Sequence, residues 1–479
     1  MLDIPNILKV LSHISWGSDR RCLTRLYNAL VRSRLDYGAI VYGSARPSTL
    51  KMLDPVHHLG LRLATGAFRT SPVLSLYVDT HQMSLEKRRQ YLSLCYYYKV
   101  LSDPKNPAYN IIHNPRFSNL FETKPTIVRP LGFRVQSICT SLNLPLPSVS
   151  GVNLLKSLEK IAPWNELGIC CDWYFTKYSK RTVAPQVLQQ EFLSLQERSY
   201  RGCTEYYTDG SKSSVFVSCA VYSRDFRRAV QLDSVASIFT AELYGILLAV
   251  EHILDNNILN AVIFVDSQSV LVAISSKGST KNILTQHVRF KVNKALRLGR
   301  NIKFCWVPSH VGITGNEGAD RLAASATDSI VSFGLPYQDF KPLLKKSLLK
   351  SWQLEWDTET NNKLHAIKPT IGIWESSFHK NRRLEVLLCR LRIGHTRLTH
   401  AYLLCSGDVA LCDHCGEILT VLHILWECRF YHQLRISRFP ELFRNHLPFH
   451  PMFLLGECSL IPLGRVFDFL KETKYFHQL

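Results

Sequence analysis

Hydrophobic spacing changes character along the chain, and each change marks a different kind of element. In RRCLTRLYNALVRSRLDYGAIVYG, Leu23, Leu26, Tyr27, Leu30 and Val31 share one helical stripe. Arg20, Arg21, Arg25, Arg32 and Arg34 lie mostly off that stripe. LEKRRQYLSLCYYYKVL repeats the theme with Leu85, Tyr91, Leu92 and Cys95. Residues 1–112 therefore read as helical. Their arginines form either a solvated surface or a nucleic-acid track, with arginines on phosphates and tyrosines on bases.

From 113 to 200 the period is lost. Pro115, Pro125, Pro130, Pro145, Pro147 and Pro163 recur among polar residues, which predicts a linker. KSLEKIAPWNEL and PQVLQQEFLSLQERS are expected as short helices within it, and no chemistry is assigned there.

Residues 201–330 alternate. YYTDG, SVFVSCAVYS and RRAVQLD predict strands, followed by a helix over 240–254, a strand over 261–266 and a short helix near 267–276. LTQHVRFKVNKALRLG predicts a helix ended by Gly299, IKFCWVPSH a fifth strand, and a last helix starts near Asn316. Strands first, then β-α-β-α, predicts an α/β fold: a mixed five-stranded sheet with helices on its faces. Residues 331–479 return to helical spacing, so helical regions flank the sheet on both sides.

Charge adds a partner to this picture. The chain holds 58 Lys+Arg against 38 Asp+Glu, a net charge of +20 with a pI near 9.4, which suits a polyanion such as nucleic acid. Hydrophobic content of 46% with 11% aromatics excludes a mainly disordered chain. The N-terminal stretch carries Asp3 and Lys9 among its apolar positions and has no cleavage-site pattern, so no secretory signal is expected. No apolar run reaches the ~18 residues of a membrane span. Fourteen cysteines without a secretory signal point to a reducing intracellular compartment, nucleus or cytoplasm.

Four acidic residues sit at element ends. Asp209 closes a strand at TDGS, Asp266 follows the apolar run AVIFV, and Asp320 lies with Asn316 on one helix face. Glu242 borders the stripe of Ile246, Leu247, Val250 and Leu254, where a carboxylate is costly unless something positive meets it. Carboxylates gathered from four elements suit a divalent-metal site. Oxygen-only ligands favour Mg2+ or Mn2+.

With TDGS, TAEL, VDSQS, WVPSH and GNEGAD in order, residues 204–328 resemble the ribonuclease H family. The resemblance implies that Asp209 bridges two metal ions, that Glu242 and Asp266 hold one of them, and that Asp320 holds the other. It implies that His310 shuttles protons or helps product leave, with Glu317 a weaker assistant. The ions would sit ~4 Å apart and act on an in-line displacement. The expected activity is hydrolysis of the RNA strand of RNA–DNA hybrids. Ser211, Gln268 and Asn316 are candidates for 2′-OH contacts, and Arg289 and Lys294, with Lys291 and Arg297, for the phosphate backbone. The competing reading is a nucleic-acid-binding module that keeps the nuclease fold as an inactive scaffold.

LDYGAIVYGSA and GLRLATGAFRTSPV resemble the region after the polymerase core of non-LTR retrotransposon reverse transcriptases. No YxDD or FxDD turn is present. The chain thus looks like the C-terminal part of such a polyprotein, with 1–112 a thumb-like region and any polymerase supplied in trans. Cys412-x2-Cys415-x7-His423-x4-Cys428 has Cys3His ligand order, with His414 as a competing ligand. Its order and last spacing resemble a zinc knuckle, and Zn2+ is the expected ion. The alternative is reduced cysteines packed in a helical end region. The nearby Arg382, Arg383, Arg390 and Arg392 are expected to bind nucleic acid or to be solvated.

Overall fold

The computed structural model describes residues 3–113, 116, 118–124, 128–144, 154–155, 163–179, 182–276, 278, 280–326, 334–448 and 450–479. Two compact units divide the chain: Met1–Ser93, Thr126–Arg129 and Lys346–Leu479 form one, and Leu94–Pro125 with Pro130–Lys345 the other. Among the described residues, no helix is long and apolar enough to cross a membrane.

The second unit is built on one sheet of strands β1 (Cys171–Asp172), β2 (Thr204–Lys212), β3 (Val217–Tyr222), β4 (Arg227–Leu232), β5 (Asn260–Val265) and β6 (Asn301–Trp306), in the order β1-β6-β5-β2-β3-β4. The five expected strands are all there, and the two-residue β1 joins them at the β6 edge. β2 pairs parallel with β5 and antiparallel with β3, so the sheet is mixed. β5 is buried at Ala261–Val265, as its unbroken apolar run requires of a central parallel strand.

Alternation along β2 assigns its side chains to two faces. Tyr207 points to the face covered by helices Pro185–Ser199 and Thr314–Ala324, where Phe175, Leu188, Phe192, Leu195, Phe264, Val311 and Ile313 pack with it. Tyr206 points to the other face, where its hydroxyl meets His252 Nδ1 at 2.9 Å on helix Ile238–Asp255. Ser237 caps that helix by accepting from Thr240 N–H.

Two expectations change. Helix Ile238–Asp255 is buried at every position from Thr240 to Val250, so it is a core helix with no polar face there. Helix Ile283–Arg297 and the segment at Gly334–Asp339 cover the side turned away from the sheet, through Lys291–Glu251 at 3.2 Å and Tyr244 Oη to Gly334 O at 2.6 Å. Residues 163–200, expected within a linker, contribute Phe175 and the buried face of helix Pro185–Ser199 to the sheet's core. The expected helix in KSLEKIAPWNEL lies largely outside the described residues; Pro163–Asn165 is a single 3-10 turn.

The first unit is helical, with two apolar clusters. Leu8, Tyr27, Leu61, Leu76, Trp352, Trp356 and Leu364 belong to one; Leu387, Ile424, Phe439, Leu455, Val466 and Phe469 belong to the other. Charges are buried beside them. Arg20 pairs with Asp79 at 2.8 Å, with side-chain exposures of 4% and 1%. Arg382 donates to the carbonyls of Ala64 and Leu63 and pairs with Glu385. Arg392 donates to Leu455 O, Ser377 Oγ and Ser376 Oγ. Arg20, Arg382 and Arg392 are thus interior cross-links and not a solvated or phosphate-binding surface. Chain segments remote in sequence cover what looks like the polar side of each helix.

Candidate active site and a thiol cluster

Strand register brings two of the acids together. Thr208 of β2 lies opposite Val265 of the parallel strand β5, so Asp209 and Asp266 follow side by side. Asp266 lies just past the end of β5, and Asp209 lies within β2, which does not end at TDGS as expected but continues to Lys212 against β3. Neighbouring strands are about 4.8 Å apart, which sets both carboxylates in one shared space. Glu242 enters from the second turn of helix Ile238–Asp255. The approach is close because position 210 is glycine: a Cβ there would lie 2.9 Å from the Glu242 backbone nitrogen. Ligand oxygens of Asp209, Glu242 and Asp266 all fall within 4.8 Å of one another.

The electrostatics of this group are unfavourable without a counter-charge. Burial, then Asp266 and Asp320, pushes the Asp209 carboxyl up to about 7. Burial, then Asp266 and Asp209, pushes Glu242 well above the usual carboxylate range. Glu242 Oε2 is buried with no hydrogen-bond partner. A buried acceptor without a donor, in a group of like charges, is what a cation would satisfy. Hard oxygen donors suit Mg2+ or Mn2+. The residues present therefore fit a divalent ion.

Asp320, on helix Thr314–Ala324, is near enough to Asp209 to raise its pKa and is itself partly exposed. His310 lies on the preceding loop, with Nδ1 3.4 Å from Asp320 Oδ2 and a side chain 74% exposed. Glu317 is in the first turn of the same helix. Trp306 Nε1 donates to Asp266 O at 2.9 Å, a support that sequence spacing did not reveal.

The expected nucleic-acid contacts divide. Ser211 is half-buried on β2, Gln268 is exposed at the start of helix Gln268–Ser275, and Lys294 is exposed on helix Ile283–Arg297. Asn316 is buried, and its Nδ2 reaches Asp266 Oδ2 at 3.5 Å, so it steers a carboxylate and does not face a groove. Arg289 is also buried. Its guanidinium donates to the carbonyls of Gly278 and Ala273 and lies 3.5 Å from Glu166, which leaves no face for a phosphate. The positions alternate between outward and inward on one helix, and only tertiary packing separates Arg289 from Lys294. Lys291 is held by Glu251, and Arg297 donates to Asn165 O.

In the other unit, ligand atoms of Cys412, Cys415, His423 and Cys428 lie within 4.8 Å of one another. Cys412 Sγ is 3.8 Å from Cys428 Sγ, and Cys415 Sγ is 3.3 Å from His423 Nε2. A tetrahedral zinc ion sets S···S near about 3.8 Å and S···N near about 3.5 Å. Burial opposes ionisation of Cys412, but the N–H groups of His414 and Cys415 and the His423 ring outweigh it and hold the thiol well below its ordinary value. His414 is not in the group; its ring stacks on Phe430 at 3.8 Å. The four side chains fit zinc.

A family model described as RNase H matches residues 202–328, the stretch that carries β2 to β6, all four acids and His310. That part of the chain is a ribonuclease H domain.

Proposed function

We propose that the domain hydrolyses the RNA strand of RNA–DNA hybrids with two divalent cations, Mg2+ or Mn2+. The convergence of Asp209, Glu242 and Asp266 around a partnerless Glu242 oxygen carries this reading. Asp209, on the central strand, would face both ions, Glu242 and Asp266 one, and Asp320 the other. Bound cations lower the pKa of an attacking water and stabilise the leaving 3′ oxygen. The chain's own residues do the rest. β2 and β5 fix two carboxylates in register, Asn316 and Trp306 orient Asp266, and His310 presents a titratable ring beside Asp320 to move a proton. Ser211, Gln268 and Lys294 would meet the hybrid. A labelled RNA–DNA hybrid incubated with the purified chain and Mg2+ or Mn2+ is expected to lose its RNA strand; an intact hybrid under both ions removes the proposal.

The Cys3His group supports an added role in holding nucleic acid, as does the net charge of +20. In this reading the chain derives from a retroelement protein, as LDYGAIVYGSA and GLRLATGAFRTSPV suggest, and works with a polymerase supplied in trans. Purified protein is expected to contain one zinc per chain by elemental analysis. Cys412→Ser with Cys415→Ser should lose it and lower the thermal midpoint, because metal binding at such sites is coupled to folding. Zinc-free wild-type protein that resists added zinc would count against it.

A further inference from the structure

The loop that carries His310 is held by a helix outside the stretch that matches the ribonuclease H family. The loop leaves β6 after Trp306 and enters helix Thr314–Ala324. His310 has φ +53°, and Gly312 has φ +86°. A left-handed conformation is unfavourable for a non-glycine residue and persists only where the surroundings over-determine it. Two apolar pegs supply part of that constraint. Val311 and Ile313, 6% and 3% exposed, are inserted among Phe175, Leu188, Phe192 and Leu195. The remaining constraint is polar: Gln189 Nε2, on helix Pro185–Ser199, donates to Val311 O at 2.9 Å. The fit is close, because a Cβ on Gly312 would lie 1.7 Å from Gln189 Nε2.

We propose that Gln189 is a positioning residue for catalysis: it pins the backbone next to His310 and so holds the exposed ring beside Asp320. The inference rests on the nuclease reading of the preceding subsection. His310 is 74% exposed and makes little packing of its own, so its placement is inherited from the residues that follow it. Helix Pro185–Ser199 is thereby part of the working enzyme, although the family match begins at residue 202.

The test is a double-mutant cycle in the full chain, with hybrid hydrolysis and amide exchange as readouts. Gln189→Met keeps the length of the side chain and removes the donor. It should lower kcat on the order of tenfold, the worth of one neutral hydrogen bond, with KM within about twofold. In a His310→Ala background the same change should have no further effect on kcat, because a residue that acts only through His310 has nothing left to position. Amide exchange at residues 307–313 should speed up in Gln189→Met while that of β2 and β5 does not. An unchanged kcat overturns the proposal, as does an equal loss in both backgrounds, which would mark a general structural effect. If the unaltered chain cleaves no hybrid, the nuclease reading fails; unchanged exchange at 307–313 would then separately remove the clamp.

Discussion

Asp209→Asn is expected to abolish hybrid cleavage, by on the order of a thousandfold or more, while making the metal-free protein more stable. The two effects have one cause. Asp209 sits on the central strand, 7% exposed, against Asp266 and Asp320. On the proposed two-cation reading its charge holds cations whose transition-state stabilisation amounts to several kcal/mol, each ~1.4 kcal/mol being tenfold in rate. Without cations the same charge is a liability.

The pH dependence follows in sign. Asp209 titrates near 7 in the fold and at 3.8 when unperturbed, and Glu242 is shifted upward as well. A raised folded-state pKa means that the stability present below about pH 4 is lost as pH rises through about 7. In EDTA, the wild-type protein should therefore be less stable at pH 8 than at pH 5, by on the order of a few kcal/mol, and unfold at a lower temperature. Added Mg2+ should reverse most of this, and Asp209→Asn should flatten it. A wild-type protein whose stability in EDTA is level from pH 5 to pH 8 would contradict the like-charge account of the site.

The second large effect lies in the helical unit. Asp79→Ala should cost roughly 3–5 kcal/mol in unfolding free energy, as expected when one partner of a buried ion pair is removed. Burial alone would raise the Asp79 pKa; Arg20, Lys368 and Arg392 outweigh it and hold the carboxyl low. With Asp79 gone, those three cations share a dry interior. Lys368 Nζ has no hydrogen-bond partner, and burial already draws it down to about 8. Lys368→Met should therefore recover part of the loss in the Asp79→Ala protein. Tryptophan fluorescence during urea unfolding reads this unit, since Trp352 and Trp356 are in its core. A loss under ~1 kcal/mol, or no recovery, would show that these charges are screened.

The acids were legible because each lies in a short motif at a recognisable place in the pattern of elements, although only Asp266 stands just past the end of one. The apolar run of β5 stops at Asp266, whereas TDGS does not close β2: the strand continues past Asp209 to Lys212, because β3 pairs with it there. The succession of strands and helices along the chain followed from the alternation of periods; their order across the sheet did not. Burial of charge was not legible. Arg289 and Lys294 are five residues apart on one helix, yet one is internal and the other faces water. The difference comes from the carbonyls of Ala273, Ser276 and Gly278, which accept from the Arg289 guanidinium and which no spacing encodes. Arg20, Arg382 and Arg392 were misread for the same reason: partners distant in sequence, Asp79 for Arg20, Ala64 and Leu63 for Arg382, and Leu455 for Arg392, fold over what looks like a polar face. β1 has two residues, too few for any period, and the packing of helix Pro185–Ser199 is visible only once Phe264 and Val311 are in place.

β1 also decides where the sheet is safe from its neighbours. The β4 edge begins with exposed Arg227 and Arg228, charges that repel strand addition. The β6 edge carries only Lys303, whose ammonium donates to Ser199 O, and Cys171 and Asp172 occupy its Phe304 and Cys305 positions. A fragment trimmed to residues 202–328 would bare that row of backbone donors and acceptors together with Phe264 and Val311. Such a fragment is expected to pair edge to edge with its copies, which light scattering of residues 202–328 against the full chain would check.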